Sequence, residues 1–449
     1  MNIINIAESG ADAAKAWLDI TSQNISNEPN ENYFREGVSV SSVGVDSGGG
    51  VKVNGFVRYS DSWANQQVRS QTGELAGYNT QYTCLSNIDT YLGSNGTSIN
   101  TGIQSFFSSL TKAQADPSSS SYRQSVLSQA TQLANLFNTA SSQINKWTDN
   151  VKQQLQSTIP QTNQLLTQIA KLNKQIVAGK ATGQNVNSLI DQREGDLKTL
   201  SKSLSVKTLQ QPNGSVNVML SNGNALITGS MASQLKLTTG ASGIPGVDLV
   251  AGGHESSLNL TKDSTLGALI NVNLKTLQNL KGKINSLAKQ FADSFNKLQS
   301  QGSDKNGNPG TALFSYNAND PAGSLKVAIT DPAILAFAAS GSGPGDGSNL
   351  NKMIALNSQS FSALSGSSFS GFYSSVVNQN ANATATVKSQ VSTASSLLAS
   401  ANAHQQSVSG VNMGTQSANL LRYTQAYQAN AKVLSTASTI FNALLNMTS

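Results

Sequence analysis

The residues that could do chemistry are few and scattered. The chain has two histidines, His254 and His404, about 150 positions apart. His254 is followed by Glu255, as in the H-E-x-x-H helix that binds zinc through two imidazoles, but Leu258 stands where the second imidazole is required. An exposed loop histidine is the expectation. Asp304, Asn306 and Asn308 have the spacing with which a calcium loop begins, yet Pro309 holds the place of its glycine and Ser315 that of its closing carboxylate. A plain turn is expected there. The glycines of Gly341 to Gly347 lack the G-x-G-x-x-G order and follow no strand that opens onto a helix, so they read as a flexible loop. No serine occupies a G-x-S-x-G elbow. Cys84, the only cysteine, lies in a helical pattern between Tyr82 and Leu85; it offers no disulfide partner within the chain and reads as a small buried hydrophobe. No catalytic, cofactor-binding or metal-ligating residue is assigned, and the chain is not expected to be an enzyme.

Composition points the same way. Charged residues are 12% of the 449 positions, about half the share usual in soluble proteins. Neutral polar side chains keep the surface wet instead, as in Gln143 to Gln156 and Ser389 to Gln406. The net charge of +6 comes from 29 basic and 23 acidic residues spread along the chain, without the basic cluster or interleaved aromatics of a nucleic-acid footprint. No apolar run is long enough to cross a bilayer, so no membrane insertion is expected. Glu8, Asp12 and Asp19 interrupt any signal-peptide core. Those absences suit a cytosolic protein or one sent out by an exporter that needs no cleaved signal.

The pattern along the chain is helical with one break in character. Residues 3 to 27 form an amphipathic helix. From Glu28 to Gly55, Pro29, Asn30 and Asn32, alternating Val38 and Val40, and Gly48 to Gly50 before Val51 and Val53 predict an extended or hairpin connector. A long helix follows from about Asp61 to Leu92, and another helical region from Ser121 to about Lys207, in which Pro160 predicts a kink or break. Between 205 and 262, Val216, Val218 and Leu220 alternate, Leu235 and Leu237 alternate again, and Pro212-Asn213-Gly214 and Asn222-Gly223 supply turns, giving a small inserted β domain. Helix resumes through Leu277, Leu280, Ile284, Leu287, Phe291 and Leu298. Residues 302 to 349 read as turns with little strand. A helical region from Asn351 to Ala403, broken near Ser365 to Ser370, leads to a terminal helix over Ala418 to Met447.

The fold class is therefore mainly α with an inserted β domain, elongated, with the N- and C-terminal helices paired as a coiled coil. Three bodies are expected: residues 1–55 with 404–449, residues 56–204 with 265–403, and the β domain at 205–264. In the first helix Ile4, Ala11, Leu18 and Ile25 repeat every seven residues. The last helix has three such rows: Leu420, Tyr427, Leu434 and Phe441; Tyr423, Ala437 and Leu444; and Ala426, Val433, Ile440 and Met447. One row makes a seam for one partner, and three adjoining rows need cover from several sides. Earlier parts of this chain or other chains are the expected cover, and the assembly contacts are assigned to Ile4, Ala11, Leu18, Ile25, Leu420, Tyr423, Ala426, Tyr427, Val433, Leu434, Ile440, Phe441 and Leu444.

At these residues the sequence resembles the bacterial flagellar axial proteins. Ser409-Gly410-Val411-Asn412, Asn419-Leu420-Leu421-Arg422-Tyr423, Gln425-Ala426-Tyr427-Gln428-Ala429-Asn430-Ala431 and Leu444-Leu445-Asn446 are similar to the family's C-terminal signature. Gly10, Ala13, Ala14, Leu18, Thr21, Ser22, Asn24, Ile25 and Asn27 match its N-terminal helix. Phe106-Phe107-Ser108-Ser109-Leu110, Asp191-Gln192-Arg193, Phe291-Ala292-Asp293 and Phe295-Asn296 are similar to its hook-associated branch. Two stretches depart from the pattern. The family's Asn-Thr-Pro-Gly-Tyr-Ser-Arg is here Pro29-Asn30-Glu31-Asn32-Tyr33-Phe34-Arg35, and the acidic residues after Ser-Gly-Val-Asn are replaced by Gly414, Thr415 and Gln416. The chain also looks shorter than many members, as if a second outer insert near 310 to 350 were missing.

The resemblance implies a structural, extracellular flagellar protein, exported unfolded through a type III channel and assembled as a ring at the junction of hook and filament. It implies self-association, contacts with the hook protein and with a second junction protein on the filament side, and an export chaperone that binds the C-terminal helix. The alternative within the family is a hook or rod component or a flagellin-like filament subunit.

Overall fold

The computed structural model describes residues 2–44, 49–94, 96, 98–239 and 245–448. Helix α1 (Asn2–Ser26) leads through turns into an antiparallel hairpin of β1 (Glu36–Ser42) and β2 (Val51–Arg58), in which Glu36 faces Arg58. The expected connector is thus a hairpin. Gly49 and Gly50 have φ of 71° and 97°, backbone that side-chain-bearing residues rarely adopt; Gly48 lies outside the described residues.

Helix α2 (Ser62–Leu92) begins at Asp61, whose carboxylate accepts the N–H groups of Trp63 and Ala64 and so satisfies two orphan donors of its first turn. Then come α3 (Ile99–Ala113), α4 (Ser120–Ala181) and α5 (Asn187–Ser203). Helix α4 has 62 residues and is about 93 Å long. It runs unbroken through Pro160, so of the kink or break expected there the break does not occur. Pro160 and Gln156, whose carbonyl loses its partner, are both exposed, while Leu155, Ile159, Leu166 and Ile169 on either side of the proline are buried. Pro160 and Gln156 lie on the solvent side of the helix, and packing on the other side outweighs the roughly 3 kcal/mol local penalty. A second difference is that the region expected to be helical from Ser121 to Lys207 is two helices. The chain turns at Gly183, with φ of 74°, and α5 packs back on α4.

The insert forms as its alternation requires. One sheet has the order β3 (Val206–Gln210), β4 (Val216–Leu220), β5 (Ala225–Thr228), β6 (Met231–Ala232), and a second has β7 (Gln234–Thr239), β8 (Pro245–Ala251), β9 (His254–Ser257). Val216, Val218 and Leu220 face inward. Gly214 and Gly223, at φ of 90° and 89°, make the turns on either side of β4.

Helix α6 (Thr265–Ala268) continues through a π-helical turn into α7 (Lys275–Ser300). The expected low-strand region contains two short pairs, β10 (Gly302–Ser303) with β13 (Ala338–Ala339) and β11 (Phe314–Ser315) with β12 (Lys326–Val327), and one turn of helix, α8 (Pro321–Ser324). Helix α9 (Ser348–Ala355) precedes α10 (Phe369–Ser409), which runs along α2, and α11 (Met413–Thr448), which runs along α1. The fold is therefore mainly helical with an inserted β portion, and its two chain ends pair.

The core of the helical part is aromatic. Phe106 and Phe107 of α3, Phe291 and Phe295 of α7, Phe314 of β11 and Phe369 of α10 meet with ring centroids 4.7 to 6.4 Å apart. Most pairs are edge-to-face or tilted, the arrangement favoured by ring quadrupoles. Three of the sequence stretches that resemble the hook-associated branch are thus one packing unit. Among the described residues no helix is long and apolar enough to cross a membrane.

Candidate assembly surface

Helices α1 and α11 lie antiparallel, and their contacts step by seven in both chains. Gly10 meets Asn430, Trp17 stacks on Tyr423 with centroids 4.9 Å apart, and Asn24 donates to the Gln416 side chain at 3.3 Å. A Cβ on Gly10 would lie 2.6 Å from Asn430 Oδ1, so a side chain there would displace the Asn430 amide from its place against α1. Buried along the same side of α1 are Ala7, Ala14, Thr21 and Asn24, and along α11 Gln416 and Ala437. The seam is built from small, polar and aromatic residues.

Asn24 is fully used. Its amide nitrogen donates to the Glu36 carbonyl at 2.9 Å as well as to Gln416, and its oxygen accepts the Glu36 N–H and the Tyr33 hydroxyl, each at 2.9 Å. One side chain joins α1, the connector and α11. Burial first, then the Glu36 and Asp191 carboxylates, holds the Tyr33 phenol well above its ordinary range, so it stays a donor.

The large apolar residues lie elsewhere. Of the assigned contacts, only Tyr423 is in the seam; Ala426 and Leu434 are half-buried at its edge, as are Ile4, Ala11, Leu18 and Ile25. Leu420, Tyr427, Val433, Ile440, Phe441 and Leu444 are exposed, Tyr427 by 43%, Ile440 by 56% and Phe441 by 53%. The pair thus hides small and polar residues with Ile20 and the Trp17–Tyr423 stack, and presents Tyr427, Phe441 and most of the aliphatic side chains of α11 outward. The small residues Gly10, Ala13 and Ala14, with Ala426 on the partner helix, were legible in the sequence as permitting close approach; the Trp17 and Asn24 contacts, at seven-residue spacing from Gly10, were not.

The connector is tied to the helical body by α5. Asp191 Oδ1 accepts Arg58 Nε at 2.5 Å, and its Oδ2 accepts the Phe34 N–H at 3.3 Å. The Arg58 guanidinium lies 3.7 Å from the Phe34 ring centroid. Burial pushes the Asp191 carboxyl up to about 6, against the opposing pull of Arg58. Two residues on, buried Arg193 donates to Asn173 at 2.9 Å and to the Gly214 carbonyl at 2.8 Å, while Asn173 holds the backbone of Val216 and Gly229. One turn of α5 therefore fastens the connector with one residue and the β insert with another.

Both departures are absorbed locally. In place of a Pro-Gly turn, the Asn30 side chain accepts the Asn32 N–H at 3.1 Å, and Asn30 and Tyr33 close two successive backbone turns. Gln416, at a position without the family's charge, is the neutral partner of Asn24. The residues weighed for chemistry lie apart. Exposed His254 opens β9, His404 lies edge-on to Trp63 at 5.5 Å, and Asp304 caps its own turn by accepting the Asn306 and Asn308 N–H groups at 2.8 Å. Burial pushes the half-buried Cys84 thiol up to about 12, which leaves almost no thiolate at neutral pH.

A long helical body with paired chain ends and a β insert, holding its apolar rows outward, has the form of a structural subunit. Residues 405–447 match the model described as flagellar basal body rod FlgEFG protein C-terminal, which makes the class a flagellar structural component. Residues 85–314, a little more than half of the chain, match the flagellar hook-associated protein FlgK helical domain. The chain belongs to that family, whose members are structural and not enzymes. Flagellar hook-associated protein 1 of Salmonella typhimurium is 28% identical over 550 aligned positions, covering 99% of this chain and all of that one. The protein of that name from Escherichia coli K12 is 28% identical, and that from Bacillus subtilis 23%, each across 99% of this chain. With 550 aligned positions against 449 residues, at least 101 positions carry no residue of this chain, so it is shorter than its Salmonella relative, as expected. The solved flagellar hook junction protein FlgK from Burkholderia pseudomallei superposes with a TM-score of 0.69 at 18% identity, over 77% of this chain and all of that one, which shows a shared fold.

Proposed function

We propose that this chain is the subunit of the junction between flagellar hook and filament, polymerised into a ring through α1 and α11. The observation that carries this reading is the inverted distribution on the terminal pair, with polar residues in the seam and Leu420, Tyr427, Val433, Ile440 and Phe441 exposed. A monomer gains nothing from that arrangement, whereas neighbouring copies would bury those rows at about 25 cal/mol per Å² of apolar surface. The assigned contact residues Ile4, Ala11, Leu18, Ile25, Tyr423, Ala426, Leu434 and Leu444 complete the surface. The hook protein would cover it from below and a second junction protein from the filament side, with an export chaperone on the C-terminal helix before assembly.

In this reading the chain leaves the cell unfolded through the flagellar type III channel and folds outside. A low charge fraction and a single thiol suit that passage. Residues 1–55 with 404–449 form the inner layer, 56–204 with 265–403 the next, and the β insert at 205–264 the outer surface. Gene deletion followed by electron microscopy tests it: hooks should persist while filament subunits are shed into the medium. Loss of the hook itself would make the chain a hook or rod component instead.

A further inference from the structure

We propose that Arg58 is a two-seat latch at the joint between the terminal helix pair and the helical body, seated on Asp191 when the pair is docked and on Glu36 when it is released. Three features of the joint support this. First, Asp191 is the carboxylate on the body that receives the connector, taking Arg58 Nε on one oxygen and the Phe34 N–H on the other. Second, Glu36 and Arg58 are directly opposed across the hairpin, the position in which cross-strand side chains touch. Third, Glu36 Oε2 and Arg58 Nη2 are both buried with no hydrogen-bond partner, a donor and an acceptor left over on facing residues. Each such orphan is unfavourable, and one rotation of the guanidinium away from Asp191 pairs them. The groups around the latch are Tyr33 and Glu36 from the connector, Arg193 and Glu194 from α5, and Arg69 from α2, itself bonded to Glu194 at 2.6 Å. None of these lies on the hairpin opposite Arg58 except Glu36.

The exchange gives the joint two discrete states. In the docked state the hairpin is held to α5. In the released state the Glu36–Arg58 pair stays within the hairpin, so the hairpin remains folded while the terminal pair swings on the two chain crossings near Tyr59 and Gly410. An arginine with one carboxylate within reach would give up its ion pair on release with only water to replace it, which is unfavourable. The second seat removes that barrier. The latch stands on the joint's own geometry and does not depend on whether the terminal helices polymerise.

A double-mutant cycle in the full chain, read by hydrogen exchange, tests it. Asp191→Asn should raise exchange of the Phe34 amide at least tenfold and leave the hairpin ladder amides of β1 and β2 within twofold. Glu36→Gln alone should leave both within twofold. The double variant should raise exchange of the ladder amides at least tenfold beyond the product of the two single effects, because Arg58 then has no seat. Amides of α4 serve as the folding control, and Asp191→Ser replaces the Asn variant if that one does not fold. The latch is refuted if the two substitutions combine as independent factors, if Asp191→Asn opens the ladder by itself, or if Phe34 is unaffected by it.

Discussion

The Asp191 carboxyl has an environment that works against its charge. Burial pushes it up to about 6, Glu36 adds to the push, and Arg58 and the Phe34 N–H pull the other way. In the unfolded chain the same group titrates near 3.8. Between those values the folded chain holds a proton that the unfolded chain has released, so the group's contribution to stability is present below about 4 and is lost as pH rises through about 6. The window corresponds to about 2–3 kcal/mol. Thermal unfolding midpoints of the wild type should therefore fall between pH 4 and pH 6 relative to those of Asp191→Asn. Asp196, also raised by burial, contributes equally to both, so the difference between the two curves is the readout; parallel curves would refute the assignment. A second residue-scale test concerns the aromatic core. Phe291 touches rings from α3, α7, β11 and α10, and truncating such a side chain opens a cavity that four elements cannot all close. Phe291→Ala should lower the unfolding free energy by about 3–5 kcal/mol in denaturant titrations, without altering the charge or the outer surface.

Among the elements, the terminal pair is the one whose formation depends least on apolar burial. Its seam rests on a glycine contact, one ring stack and the Asn24 network. Gly10→Leu would drive a branched side chain into Asn430 and push α11 away. Amides of both α1 and α11 should then lose protection while the body melts at its wild-type midpoint; unchanged protection in α11 would show that Gly10 does not set the spacing. How far the elements were legible follows from the same contrast. Helices α2 and α7 and the strand β4 were readable because large apolar residues mark their buried faces at period 3.6 or 2, and α1 and α11 because apolar rows recur every seven residues, although on α11 most of those rows are exposed. The continuity of α4 was not, since a proline is read locally while the packing of Leu155, Ile159 and Leu166 on both sides of it is tertiary. Helix α3 was recognised only as a similar stretch of residues, although Ile99, Ile103, Phe106, Phe107 and Leu110 carry the helical period and mark its buried face. The seam of the terminal pair was legible only in part: small residues such as Gly10, Ala13 and Ala14 permit close approach, whereas Asn24 and Thr21 carry no hydropathy signal and only their fit in three dimensions identifies them.

The whole molecule separates stability from assembly in a way that can be tested directly. The body has its own aromatic core and is fastened to the connector and the insert by Asp191 and Arg193. The terminal pair adds exposed apolar rows that do not contribute to that core. Substitutions on the rows should therefore leave folding intact and affect only what the molecule joins. Tyr427→Asp and Ile440→Asp place carboxylates on two of the rows at positions 43% and 56% exposed. At exposed sites the folded chain should change by about 0.5 kcal/mol or less, so the body's melting midpoint stays at the wild-type value. At a subunit interface each carboxylate would be buried without a partner, at a cost of several kcal/mol, which is two or more decades in affinity. In the proposed ring each contact repeats at every subunit, so that loss would fall on all of them. In a strain lacking the gene, either variant should be found in the culture medium as soluble subunit, and swimming should drop at least tenfold relative to complementation by the wild type. Lys236→Gln and Glu255→Gln, which remove an exposed ion pair of the β insert, provide the matched control and should swim normally. If the row variants swim like the wild type, α11 does not supply the assembly surface; if they remain inside the cell, the rows act in export before they act in the ring.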